Sequence, residues 1–245
     1  MKIDELLDFL RTRRSIRRFK PDPIPDEYIE KMIEAARWSP SGANAQPWEF
    51  IIVKDPKTKK RMAELYRQIR YEHYVIEQTR VEELRHNQLL SPLKDLPGFK
   101  DAPVLIVVCG DRRTFQASVL AGRFLGEECG LEGTYTKNIA NATYGLILAA
   151  TALGLGAQWL TIGANWAEML KPLLGVPPIL QLHTIVPVGY PAYEPRPPYR
   201  RSMEEIVHYE RYDMSKFRSG DQIIEFIREL RKRTKPAYAQ ERPFQ

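Results

Sequence analysis

The chain has 245 residues, 43% hydrophobic and 28% charged, enough for a sizeable core near the upper size of one domain, which excludes disordered, collagenous and membrane-embedded classes. Its 37 Lys and Arg against 31 Asp and Glu leave a formal charge of +6, compatible with a phosphorylated ligand, an anionic surface or nucleic acid and specific for none of them. Two cysteines and four histidines without ligand spacing exclude a disulfide framework and a cysteine-rich metal site, no stretch approaches the roughly 18 apolar residues of a membrane span, and a reducing cytoplasm is the expected compartment.

Residues Asp4 to Leu10 predict a short helix with Leu6, Leu7, Phe9 and Leu10 on one side. It gives way to RTRRSIRRFK, which offers Arg13, Arg14, Ser15 and Arg17 within five residues. In an extended stretch residues 13, 15 and 17 share a face, so two guanidinium groups flank a hydroxyl and suit a phosphate monoester, at roughly 1.5 to 3 kcal/mol per charge-assisted contact. A solvated basic turn is the alternative. The prolines of KPDPIPDE forbid regular structure until Asp26 and Glu27 open a second helix, whose buried face is Ile29, Met32, Ile33 and Ala36 and which must stop at Trp38 or Ser39, before Pro40.

SPSGANAQPWEF follows, a turn whose small residues at 41 to 43 permit close approach of backbone to a planar ligand and whose freed N–H groups would face its heteroatoms. WEFIIV (48–53) reads as a strand closed by the turn pair Asp55 and Pro56. From there to about Gln88 the chain is polar and of helical propensity, expected as a lid or flank or as a solvent-facing helical pair. APVLIVVCG (102–110) predicts a fully buried central strand, and Asn138 to Leu155 a helix apolar on nearly every side. GLGAQWLTIG supplies a short strand, NWAE (165–168) a capping-box variant for a helix ending near Gly175, and LQLHTIVPVGYP a last strong strand in which His183 is expected as a satisfied core residue. SMEE (202–205) is a second capping box, Arg-rich RPPYRR lies just before it, and Gly220 to Lys232 reads as a terminal helix whose basic residues form a solvated face. The strands are few and unequally spaced, so the class is α/β or α+β, not a regular doubly wound sheet.

Taken in order, RRSIRRF, SPSGANAQPWEF, the apolar helix running into GLGAQWLTIG, LLGVPP, VPVGYP and RRSMEEIV resemble the FMN-dependent nitroreductase family over roughly residues 8 to 208. The resemblance implies an α+β fold with a central, mainly antiparallel sheet flanked by helices, in an intertwined homodimer whose two flavin sites are lined by both chains. The chain length sets the expectation of one domain over residues 1–245, and the terminal helix, too short to stand alone, that of 209–245 as a C-terminal arm. By matching positions, Arg13, Arg14, Ser15 and Arg17 would hold the phosphate, ribityl chain and pyrimidine edge of FMN. Pro40, Ser41 and Gly42 would come from the partner chain, Leu160, Thr161, Ile162 and Gly163 would pass along the isoalloxazine, and Arg200 would return to the phosphate, with Arg201 as the competing choice. No catalytic side chain or metal is then required, because the cofactor carries the hydride chemistry. No GxGxxG is present, so NADH or NADPH would visit the flavin transiently. The expected partners are a second copy and a small electron-poor acceptor, with neither nucleic acid nor membrane. Residues 57–100 depart most from the pattern and lack the Glu-x-x-x-Tyr spacing of the iodotyrosine deiodinases in this superfamily, which disfavours deiodination, and the turn SPSGANAQPW differs from that of the flavin-cleaving benzimidazole synthases.

Overall fold

The computed structural model of the chain describes residues 2–81, 92–114 and 128–233. It divides into a larger unit ending at Tyr193 and a smaller one beginning at Glu194.

In the larger unit, α1 (Ile3–Thr12) opens with the Lys2 amide donating to Glu5 Oε2 at 2.8 Å, and none of its residues is buried. Helix α2 (Asp26–Arg37) starts behind Pro25 with Asp26 and Glu27 in its first turn, buries Ile29, Met32 and Ala36, and stops at Trp38. Acidic residues there complement the exposed N–H groups of the helix start. Strand β1 (Trp48–Val53) has the predicted limits. Asp55 and Pro56 do not form a turn after it. They are the N-cap and first residue of α3 (Pro56–Glu77), with the Thr58 amide donating to Asp55 Oδ2 at 2.8 Å.

Helix α3 also corrects the expectation of a flank or solvent-facing pair: it buries Met62, Ala63, Leu65 and Ile69, so one side is core. It ends at Glu77, with Gln78 as its C-cap, short of the expected continuation, and residues 82–88 lie outside the described residues. Strand β2 (Val104–Gly110) is buried along its whole length, as its unbroken β-branched run requires. Helix α4 (Glu128–Ala152) begins ten residues before the predicted Asn138. Two-residue strands β3 (Gly156–Ala157) and β4 (Leu160–Thr161) precede α5 (Ala164–Leu174) and β5 (Gln181–Gly189). Helix α5 is capped by Gly163, not by Asn165: Ile162 N–H donates to the His183 carbonyl at 3.2 Å, and the helix starts directly afterwards at Ala164, too early for Asn165 to cap.

The described strands form a five-stranded sheet in the order β1-β2-β5-β3, with β4 also on β5 and every ladder antiparallel. Alternate residues of β2 face opposite layers. Leu105, Val107 and Cys109 pack with Met62, Ile69 and Leu170 of α3 and α5, while Val104, Ile106 and Val108 pack with Met32, Ile139 and Leu146 of α2 and α4. The result is the expected antiparallel α+β arrangement, with helices on both faces of the sheet. In the smaller unit, α6 (Met203–Ile206) carries the predicted Ser202–Glu205 capping box, and α7 spans Gly220–Arg233.

Candidate functional site

The basic segment 15–20 runs along the sheet beyond β3. Ile16 N–H donates to the Ala157 carbonyl at 2.9 Å, Lys20 N–H to Tyr190 at 2.9 Å, and Ala192 N–H to Arg18 at 3.2 Å. Gly156 permits this approach, since a Cβ there would lie 2.6 Å from Ile16 Cγ1. Ile16 and Phe19 point into the core while Arg17 and Arg18 stay exposed, so the segment is extended but not a regular two-residue alternation. Within the predicted quartet, Ser15 bridges Ala157, the Arg17 N–H contacts Tyr193 Oη at 3.4 Å, and Arg13 is half-buried. Arg14 turns back instead, donating to the carbonyls of Arg11 and Arg13 at the end of α1, and its Nε is buried without a partner.

The strip Leu160–Gly163 lies on the same side of β5 as β3. Leu160 and Thr161 pair with Ile185 and Thr184, and the Thr184 hydroxyl donates to the Leu160 carbonyl at 2.8 Å. Ile162 is buried, Thr161 and Gly163 are exposed, and the space where a Cβ on Gly163 would stand is open for 4 Å. Two backbone runs thus follow one sheet edge, one cationic and one flat and uncrowded.

The Ser-Pro-Ser-Gly turn is held by α4. Gly42 N–H donates to Asn138 Oδ1 at 3.1 Å, Asn141 Nδ2 donates to the Pro40 carbonyl at 3.2 Å, and the Ser39 hydroxyl donates to the Asn141 carbonyl at 3.1 Å. Ala43, Asn44 and Gln46 adopt φ of 52°, 52° and 45°, a left-handed region unfavourable for L residues. The expectation of freed N–H groups is corrected here: those of Gly42, Asn44, Ala45 and Gln46 are taken by Asn138, Ser41 O, Gly42 O and Ser41 Oγ.

One turn before Asn138, Tyr135 Oη lies 2.9 Å from Nε2 of His183, whose ring is satisfied as the sequence suggested and whose carbonyl holds Ile162. Arg112 stacks over the Tyr135 ring with its Cζ 5.7 Å from the centroid. Next to it, the Asp111 amide donates to the Pro47 carbonyl at 2.7 Å, and a hydrogen bond from Arg113 holds the Asp111 carboxyl below its ordinary pKa. Tyr135, Asn138 and Asn141 were not singled out from the sequence. The available signal was polar side chains at helical spacing on an otherwise apolar helix.

Arg200 belongs to the smaller unit. Its Nη1 donates to the Tyr199 carbonyl at 2.9 Å, whereas Arg201 is engaged by Glu205 through the carbonyl at 2.7 Å and the carboxylate at 3.9 Å. A cleft of about 700 Å³ lined by Ile29, Ile52, Lys54, Leu173 and Leu174 contains none of the predicted site residues. Among the described residues no group of His, Cys, Asp and Glu is placed to hold a metal, and no helix is long and apolar enough to cross a membrane.

A family model described as the Nitroreductase family matches residues 10–190. An NADH dehydrogenase of Thermus thermophilus is 31% identical over 198 residues, covering 80% of this chain and 91% of the relative. An iodotyrosine deiodinase of Thermotoga neapolitana is 31% identical over 205 residues, covering 83% and 97%. Among solved structures, an oxidised iodotyrosine deiodinase bound to FMN and 3-iodo-L-tyrosine superposes with a TM-score of 0.63 at 28% identity, covering 84% of this chain and all of that one.

Proposed function

The chain belongs to the nitroreductase family, and from that premise we propose that it is an FMN-dependent oxidoreductase passing a hydride from NADH or NADPH to a small electron-poor acceptor, a nitroaromatic, quinone or related compound, in two separate half-reactions. The observation that carries the reading is the shared sheet edge, where the Arg13–Arg17 segment borders β3, β3 pairs with β5, and the Leu160–Gly163 strip pairs with the same side of β5.

The residues present fit the group. Arg13 supplies a cation for a phosphate dianion, Ser15 a hydroxyl beside it, and Arg17 a cation for the ring. The open space at Gly163 and the exposed Thr161 backbone accommodate a planar ring. Arg14 retains the role of holding the end of α1 and shaping the segment. Arg200 is preferred to Arg201 as the phosphate partner, because Arg201 Nη2 is already occupied by the Glu205 carbonyl. Bound FMN supplies the two-electron hydride chemistry. A cation at Arg17 near the pyrimidine edge would stabilise negative charge developing on the ring, and the sheet-anchored backbone of 160–163 would fix its orientation.

The working form is a homodimer in which Pro40, Ser41 and Gly42 of the second copy complete each site, one domain per chain with residues 209–245 as an arm. The cytoplasm is the proposed compartment. The deiodinase relative favours a second reading, reductive dehalogenation, but Glu64, Glu72 and Glu77 of the described α3 segment have Gln68, Ile76 and Val81 four residues on, never Tyr.

Anaerobic mixing of the purified yellow protein with NADH or NADPH tests the proposal. The visible flavin band should bleach and then return on adding a nitroaromatic or quinone. Failure of both nucleotides to bleach it would overturn the hydride reading, and reoxidation by iodotyrosine alone would move the assignment to dehalogenation.

A further inference from the structure

We propose that Asn138 is a positioning residue for the flavin-contacting turn Pro40–Gly42, an inference that rests on the flavin reading above. Asn138 is 3% exposed on the N-terminal half of α4, where its neighbours Ile139, Ala142 and Leu146 are buried and apolar. Its Oδ1 accepts from Gly42 N–H at 3.1 Å, while its Nδ2 is buried with no partner. An unmatched buried donor is destabilising, so the amide is a poor residue for packing alone. What it supplies is an acceptor at one fixed point of the turn.

The turn needs such a point. Three of its residues outside glycine, Ala43, Asn44 and Gln46, lie at positive φ. A conformation of this kind persists only where the surroundings over-determine it. Gly42 immediately precedes the positive-φ residues, its carbonyl accepts from Ala45, and the neighbouring Ser41 accepts from Asn44 and Gln46. Asn138 is therefore the helix side chain tied to the amide adjoining that run, directly before Ala43. The Asn141 contact holds Pro40, further from the positive-φ residues. Losing the acceptor would free the run to relax toward ordinary φ values and displace the backbone of Ser41 and Gly42 from the ring position.

The test is FMN titration of apoprotein for wild type, Asn138→Leu and Asn138→Asp, with thermal unfolding of each apoprotein alongside. Leu keeps the volume and removes the acceptor, so FMN should bind about 5-fold to 100-fold more weakly, with a changed visible circular-dichroism spectrum of the bound flavin. Asp retains an acceptor oxygen in place and should bind within about threefold of wild type. Adding Ala43→Gly to Asn138→Leu removes the left-handed cost at residue 43 and should recover part of the loss, about threefold. Equal FMN affinity of wild type and Asn138→Leu would overturn the proposal, as would equal losses in Leu and Asp or no recovery with Ala43→Gly. If Asn138→Leu does not fold, Asn138→Asp and Ala43→Gly alone decide: a tenfold loss in Asp, or a loss in Ala43→Gly as large, contradicts it. A wild type that binds no FMN refutes the flavin reading itself, a result distinct from each of these.

Discussion

Gly110 is where a single methyl group should do most damage. It ends β2 directly beneath the Tyr135–His183 contact, and a Cβ there would lie 2.0 Å from Tyr135 Oη and 2.8 Å from His183 Nε2. Tyr135 is 1% exposed, so its ring cannot swing into solvent to make room. Gly110→Ala must displace the hydroxyl and break a hydrogen bond of about 1 kcal/mol, adding an overpacking cost of about 1 to 3 kcal/mol. The sum, about 2 to 4 kcal/mol, corresponds to roughly 4 to 16 °C in melting temperature for a domain of this size. Circular-dichroism melting should show it. Gly133→Ala in α4, where the added Cβ meets nothing within 4 Å, should instead be neutral or raise the melting temperature by a few degrees, about 0.5 to 1 kcal/mol of helix propensity. Deleting the hydroxyl in Tyr135→Phe should make Gly110→Ala less costly, so the pair should be non-additive. A Gly110→Ala protein melting within 1 °C of wild type, by rough criterion about 0.5 kcal/mol, would refute the packing of Tyr135 over β2.

Burial pushes the Cys109 thiol from 9.0 up to about 12. The native thiol holds its proton where the unfolded one loses it, so this contribution is fully present below pH 9 and is lost as pH rises toward about 12; stability should fall across that window, and native protein at pH 8 should resist a thiol reagent, rapid labelling of Cys109 contradicting its burial. Arg200→Ala should weaken FMN roughly 10-fold to 150-fold and leave riboflavin nearly untouched, whereas Arg17→Ala should weaken both; titrations in which Arg201→Ala shows the larger phosphate-dependent loss would exchange the two assignments. Light scattering should give twice the chain mass of 28.4 kDa, and a monomer with full flavin occupancy would refute the two-chain site.

Legibility in the sequence followed the range of the interactions. Strand β1 and the face of α2 were readable because a β-branched and aromatic run and the i, i+3, i+4 pattern are local signals bounded by proline. The first ten residues of α4 were missed because ECGLEGTYTK contains two glycines and no apolar period, and tertiary packing overrides propensity there. Helix α3 hid its buried face among Lys, Arg and Glu, since four small and aliphatic residues suffice to seat it on the core. At the site, the order of RRSIRRF and GLGAQWLTIG along the chain was visible, but not that Gly156 lets them touch. Nor could spacing show that Asn138 reaches Gly42 across 96 positions, or that Arg14 turns back onto its own helix while its neighbours do not. Both outcomes depend on where a distant backbone runs.

The proposed flavin site holds the FMN phosphate through charge-assisted contacts from this chain's basic and hydroxyl side chains. Fluorescence titration of the apoprotein with FMN and with riboflavin, under one buffer and salt condition, tests it most directly. Two or more charge-assisted contacts to the phosphate predict FMN binding tighter by at least about 100-fold, since each contributes about 1.5 kcal/mol or more. Equal affinity for the two flavins would contradict the account, leaving the Arg13–Arg17 segment a solvated basic turn.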